Sequence, residues 1–290
     1  FSSATWWEQT LLALPPGYRG IAPDQRGYHG ADPGAKIDAT RGMRDFVDDA
    51  LALMDALGHD RFHLVGNSLG GLVVWWMLAD APERLLSATL AGPGAPFGFG
   101  GTRDAAGTPT TPDYAGSGGG LINPDLVQSL LDGDRDSISD FSPRGIMRRL
   151  VWSGGQIPER EDALIDAMFR VHIGDRELPG DKEDSPHWPY VRPGKWGATN
   201  AMSPKYIGNL VERILAGNPE AHVVVLGDLN SFYDSAPLDV LRAADLRHVY
   251  EFVELYYDAG GAADTDPHTR ADGHGADPRG GGPGPGEAGR

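Results

Sequence analysis

The chain has 290 residues, with 25 Lys and Arg against 41 Asp and Glu, a formal net charge of −16, and no cysteine. So large an acidic excess repels phosphate backbones and excludes a nucleic-acid coat, while the lack of cysteine excludes disulfides, thiol nucleophiles and cysteine-based metal sites. Apolar residues make up 40%, enough for a core, and no apolar run approaches the roughly 20 residues of a membrane helix.

The chain opens at Phe1 with no initiator methionine and no signal-like segment, so a processed chain or a fragment is expected. Tyr18–Pro23 is predicted as a short strand. Met43–Leu57 carries Phe46, Val47, Ala50, Leu51, Leu53, Met54 and Leu57 at helical spacing, and Gly58 stops it. Arg61–Val65 reads as a buried strand, Leu69–Leu78 as an apolar helix and Leu85–Ala91 as a second strand. This alternation predicts an α/β layer with parallel strands. Residues 92–123, rich in Gly, Pro and Thr, read as loop. Helical patterns follow at Asp125–Leu131, Ser142–Val151 and Glu159–Val171 with no strand pattern between them, so a helical insertion is expected. A helix is predicted over Pro204–Leu215, a strand over His222–Leu226 and a helix over Pro237–Val253. Ala259–Arg290 holds no large apolar residue and cannot bury enough surface to offset the entropy of ordering it, so a disordered tail is expected.

Gly66-Asn67-Ser68-Leu69-Gly70 fits G-x-S-x-G between a predicted strand and a predicted apolar helix. That context suits a nucleophile elbow, a turn sharp enough to strain the serine backbone and lift its hydroxyl clear. Gly66 and Gly70 would let strand and helix approach, and the Leu69 N–H would face a developing oxyanion at the helix N-terminus. The competing reading is an ordinary turn in which Ser68 caps the helix. Trp75-Trp76 on that helix read as core, and Trp152, Trp188 and Trp196 as packing or pocket residues of the insertion.

Residues 1 to about 206 resemble the α/β-hydrolase family with a helical cap. Phe1–Trp7 resembles the segment after the family's His-Gly oxyanion loop, Asp24-Gln25-Arg26-Gly27 its D-x-R-G-x-G loop, Gly66–Gly71 its elbow and Trp196–Tyr206 the end of its cap. The resemblance implies an incomplete α/β-hydrolase sheet, with the first three strands and the His-Gly pair upstream of Phe1. It also implies acyl transfer to water by a serine, a histidine and a carboxylate. Ser68 is the implied nucleophile, with Leu69 and Phe1 as oxyanion donors. The implied acid is Asp228 or Asp234. His274, in Asp272-Gly273-His274-Gly275, mimics the family's late Gly-His and is the nominated base.

Ala221–Val253 also resembles part of the endonuclease/exonuclease/phosphatase family, through Gly227-Asp228-Leu229-Asn230 at a strand end. There the resemblance implies water activation by Asp228 and phosphate orientation by Asn230 beside a metal. The expected organisation is therefore a partial hydrolase core (1–92), a helical cap (93–206), a strand–helix segment of foreign character (207–257) and a disordered tail (258–290).

Among the other histidines, His29 reads as a surface turn residue, His63 as a satisfied interior group and His248 as a packing residue. No H-x-H or H-E-x-x-H spacing occurs, and the acidic groups Asp132–Asp140 and Asp181–Asp184 lack EF-hand spacing, so no metal and no cofactor is expected. The leading expectation is a hydrolase of a small ester or amide. The alternatives are a non-catalytic fragment and a metal-dependent phosphoesterase. Small-molecule substrate, no nucleic acid and no membrane are the expected partners. Oligomeric state stays open, and the cytoplasm is only a default compartment.

Overall fold

The computed structural model describes residues 3–104, 106–152 and 156–217, and the backbone of 224–226. A short 3-10 turn, Ala4–Trp7, is capped by Ser3, whose hydroxyl accepts from the Thr5 N–H at 3.3 Å, and leads into α1 (Glu8–Leu12). The strand expected at Tyr18–Pro23 does not form. The segment has no ladder partner among the described residues; Gly20 rests instead on Leu11 and Leu14, and the Tyr18 ring lies 6.2 Å from that of His63. A strand is a paired object, and apolar composition alone does not supply the partner.

The loop that follows is pinned to α2 (Arg44–Ala56). Arg26 grips Asp49 with two hydrogen bonds of 2.6 Å and also donates to the Lys36 carbonyl at 2.8 Å. Next come β1 (Phe62–Ser68), α3 (Leu69–Asp80) and β2 (Leu85–Pro93), close to the predicted spans. β1 and β2 are parallel, with Gly66 opposite Leu90 and Asn67 opposite Ala91; a bulge then sets Ser68 opposite Pro93.

In the insertion, α4 (Pro124–Leu131), α5 (Pro143–Ile146) with a π-type turn over Met147–Val151, and α6 (Glu161–Met168) fall where helices are predicted. Glu161 ties α6 to α5 and the π-type turn by accepting from Arg148 at 2.6 and 2.7 Å and from Arg144. The insertion is not purely helical, which corrects the expectation. β3 (Ile173–Gly174) pairs with β4 (Leu178–Pro179), and β5 (Lys182–Asp184) pairs antiparallel with β6 (Val191–Pro193). These strands are two or three residues long and partly charged, so they carry no period-2 apolar signal.

After α7 (Ala198–Ala201), the single helix predicted over Pro204–Leu215 divides into α8 (Pro204–Ile207) and α9 (Leu210–Gly217). The break falls at Gly208, whose φ of +69° no helix accommodates. Fully buried Asn200 on α7 ties the region together: its amide donates to the Trp196 carbonyl at 2.7 Å, and its oxygen accepts from the Gly119 N–H at 2.7 Å. The last described element, β7 (Val224–Leu226), lies parallel to β2 with Leu226 opposite Ala91. The main sheet is thus ordered β1-β2-β7.

α3 is apolar all round because it is covered all round. Gly71–Met77 are buried, packed on the sheet below and flanked by α2 and α9. Trp75 is among the largest fully enclosed side chains, so the core reading of Trp75-Trp76 holds. At the C-terminal end of α3, Asp80 accepts from Trp76 Nε1 at 2.9 Å and pairs with Arg44 of α2 and Arg213 of α9.

Candidate active site

β1 passes into α3 with no residue between them, and Ser68 takes the whole change of direction. Its φ of +54° and ψ of −116° lie where L-residues rarely go, and its side chain is exposed. Such a conformation costs about 1–3 kcal/mol and persists only where its surroundings dictate it. Here two glycines do so. A Cβ on Gly66 would run into the Gly70 carbonyl and come within 2.6 Å of Val74, and one on Gly71 would lie 2.5 Å from the Pro93 Cβ. Gly70 is different from expectation: among the described residues a Cβ there meets nothing within 4 Å. The close approach of helix and β2 depends on Gly71, which sequence reading passed over because its partner lies in another strand.

The capping alternative does not describe Ser68. Its backbone is not extended, and its side chain makes no cap hydrogen bond to the first turn. The Leu69 N–H is the first of the helix and has no intrahelical acceptor, so it is free to meet an anionic oxygen beside the serine.

Phe1, Asp228, Asn230, Asp234, His248 and His274 lie outside the described residues. Among the described residues, no histidine or carboxylate makes a hydrogen bond to the Ser68 hydroxyl. His63 is exposed rather than interior, and its Nδ1 meets the Ser87 Oγ at 2.8 Å. It stands five residues before Ser68 on β1, roughly 16 Å away along a strand, which removes it from any proton relay there. His29 is not a free surface residue either: its Nε2 contacts Arg170, and its side chain is 20% exposed. Burial raises the Tyr28 phenol to about 12, so it keeps its proton and cannot serve as a base.

The register brings the sheet's carboxyl ends to one level. Asn67, Ala91 and Leu226 stand side by side across the three strands. Leu226 itself therefore lies level with Asn67, the neighbour of Ser68, two strand spacings or about 10 Å away. Of the tryptophans in the insertion, Trp188 is exposed, Trp196 carries the Arg176 guanidinium 3.8 Å above its ring, and Trp152 packs on the core. Among the described residues no cluster of three His, Asp or Glu is placed to hold a metal, and no helix is long and apolar enough to cross a membrane.

The family described as alpha/beta hydrolase fold matches residues 2–116, a span that includes the Arg26 loop, the Ser68 turn and β2. A 2-hydroxy-6-oxo-6-phenylhexa-2,4-dienoate hydrolase of Comamonas testosteroni is 42% identical over 78 residues, 27% of this chain and 27% of that protein. Epoxide hydrolase 3 of Siraitia grosvenorii is 33% identical over 81 residues, 28% of this chain and 25% of that protein. The matched segment thus spans about a quarter of the length of these relatives. The solved structure of an esterase from Exiguobacterium antarcticum has a TM-score of 0.46 at 17% identity, over 84% of this chain and 75% of that one.

Proposed function

We propose, from the premise that residues 2–116 belong to the alpha/beta hydrolase fold family, that this chain is a serine hydrolase of small esters or amides. The observation that carries the reading is the Ser68 backbone, φ +54° and ψ −116°, at the end of β1 and the start of α3. A hydroxyl held there is presented to solvent beside an unpaired helical N–H, which is the arrangement that attack on an acyl carbon and stabilisation of its oxyanion require.

The chemistry of a hydroxyl favours an acyl substrate. Attack on a carbonyl carbon gives a serine ester, which water can cleave to regenerate the enzyme. Attack on an epoxide or an alkyl halide gives a serine ether, which water does not cleave. Of epoxide opening, halide displacement and acyl cleavage, the acyl type is therefore the one a Ser68 nucleophile can turn over.

Leu69 donates one oxyanion hydrogen bond, and Phe1 is proposed for the second. Asp228, with Asp234 as the other nominee, is proposed as the acid and His274 as the base. The β7 register supports this nomination in so far as Leu226, the last described residue before it in the chain, lies at the end of the sheet that carries Ser68. Residues 1–92 are proposed as the core, 93–206 as the cap over the serine, 207–257 as a strand–helix segment and 258–290 as a tail.

A second reading is a folded chain whose serine has no base. It is favoured by one observation: no described histidine lies against Ser68. Hydrolysis of p-nitrophenyl acetate, butyrate and octanoate by the full chain and by Ser68→Ala separates the two. Turnover that Ser68→Ala abolishes supports the hydrolase. Equal rates for the two proteins, at the level of buffer, support the second reading.

A further inference from the structure

The ladder between β1 and β2 weakens just where a strained Ser68 needs support. Up to Asn67 the two strands run in step, with Gly66 opposite Leu90 and Asn67 opposite Ala91. Then β2 takes one residue more than β1. Gly92, with φ of +50°, is passed over, and Ser68 stands opposite Pro93. A bulge of this kind interrupts the ladder, and a proline brings no N–H to repair it. The next donor on β2 is the Gly94 N–H, which reaches the Ser68 carbonyl at 3.2 Å, the long end of the ordinary range.

Asn67 supplies a donor that the backbone lacks there. Its Nδ2 donates to the Ala91 carbonyl at 2.7 Å. A carbonyl only accepts, so the amide must present its NH2 group, and neither a carboxylate nor an aliphatic side chain could do the same. The bond crosses from strand to strand at the rung directly before the bulge, one residue from Ser68. On the helix side of the turn, the closeness of Gly71 to Pro93 fixes α3 against β2. Ser68 thus lies between two fixings, the Asn67 amide on the strand and the Gly71 contact on the helix. A backbone at φ +54° and ψ −116° persists only when its surroundings hold it in this way.

We propose that Asn67 is a positioning residue for Ser68, its side-chain amide locking the last regular rung of β1 and β2 so that the strained serine keeps its orientation. The proposal deepens the serine-hydrolase reading and rests on it. With the rung released, the bulge can shift and Ser68 can relax towards ordinary angles, which carries its hydroxyl away from the Leu69 N–H. Attack needs the reacting atoms about 3–3.5 Å apart, and a misplacement of about 1 Å can cost about a hundredfold. Loss of the amide therefore shows in the chemical step rather than in substrate binding.

The full chain and three variants of Asn67 are compared in two assays. One is steady-state hydrolysis of p-nitrophenyl butyrate. The other is the second-order rate of Ser68 phosphonylation by a fluorophosphonate, followed by mass spectrometry. Asn67→Ala and Asn67→Asp remove the donor, and both are expected to lower kcat and the phosphonylation rate roughly tenfold to a hundredfold, with KM within about twofold of native. Asn67→His carries a nitrogen, Nδ1, on the same Cγ as the amide nitrogen, and is expected to recover both rates to within about threefold of native. Circular dichroism and the urea midpoint show which variants are folded; should Asn67→Asp not fold, the Ala and His variants carry the test. Folded Asn67→Ala with native kcat and a native phosphonylation rate overturns the proposal and leaves Ser68 as the nucleophile. An equal fall in folded Asn67→Ala and Asn67→His, or a change confined to KM, also overturns it. Native protein that neither turns over the ester nor is labelled at Ser68 removes the hydrolase reading, and this proposal with it.

Discussion

At Ser68 the backbone, not the hydroxyl, carries the strain, and the glycines around it decide whether the turn survives. Gly71→Ala sets a methyl 2.5 Å from the Pro93 side chain and 2.7 Å from its Cα, with backbone on both sides. It is expected to cost about 1–3 kcal/mol in chemical denaturation. Gly70→Ala, where the added carbon meets nothing within 4 Å among the described residues, is expected to be neutral or to gain up to about 1 kcal/mol from helix propensity. Equal losses at the two positions would contradict the packing described. Ser68 itself is legible in G-x-S-x-G because motif and flanking periodicity agree. Gly71 is not, since its constraint is Pro93 in β2. His29 and His63 are misjudged by sequence for a related reason. Local pattern gives His29 a surface turn and His63 an interior place, whereas Arg170 encloses the first and an open sheet face exposes the second.

α2, α3 and β2 lie close to their predicted spans, while β1 forms but is not the buried strand expected, since His63, Val65 and Asn67 on it are exposed. Tyr18–Pro23 has the composition of a strand without a described neighbour to pair with, and β5 and β6 have a neighbour without the composition. Two ionic clusters join the helices. Asp80, 9% exposed at the end of α3, links Arg44, Arg213 and Trp76. Asp80→Ala leaves two half-exposed guanidiniums unpaired, and about 2–3 kcal/mol of stability is expected to go, read from the urea midpoint at constant slope. In the insertion, hydrogen bonds from Arg148, then the Arg144 charge and its hydrogen bonds, hold the Glu161 carboxyl below the usual carboxylate range. A lowered folded value means stability that is present above the unfolded pKa and lost as pH falls through the folded one. The native protein should therefore exceed Glu161→Gln in stability by about 2 kcal/mol at pH 7, with the gap closing below about pH 4. A gap independent of pH would show that Glu161 contributes by packing alone.

Among the described residues, α3 packs on one face of the main sheet, and on the other face apolar side chains stand exposed. Phe62, Gly66 and Leu90 are buried, with α3 packed on β1 and β2, while Val65 remains 50% exposed and Leu86 49% exposed. Among the described residues, β1 also pairs on one side only. An unpaired strand beside exposed apolar side chains invites association, which a net charge of −16 opposes without removing. Light scattering of the purified chain is expected to show association that Val65→Lys reduces. Thermal unfolding is expected below the roughly 60 °C reached by most mesophile domains, and a sharp transition well above that would contradict an open sheet.

Nucleophilicity at a single oxygen is what the functional reading comes down to. Incubation of the full chain with a fluorophosphonate, followed by mass spectrometry of the digest, measures it directly. A phosphonyl adduct on Ser68, lost in Ser68→Ala and in heat-unfolded protein, is the expected result. Folded protein that stays unlabelled at Ser68, or that reacts equally at scattered serines, would contradict it.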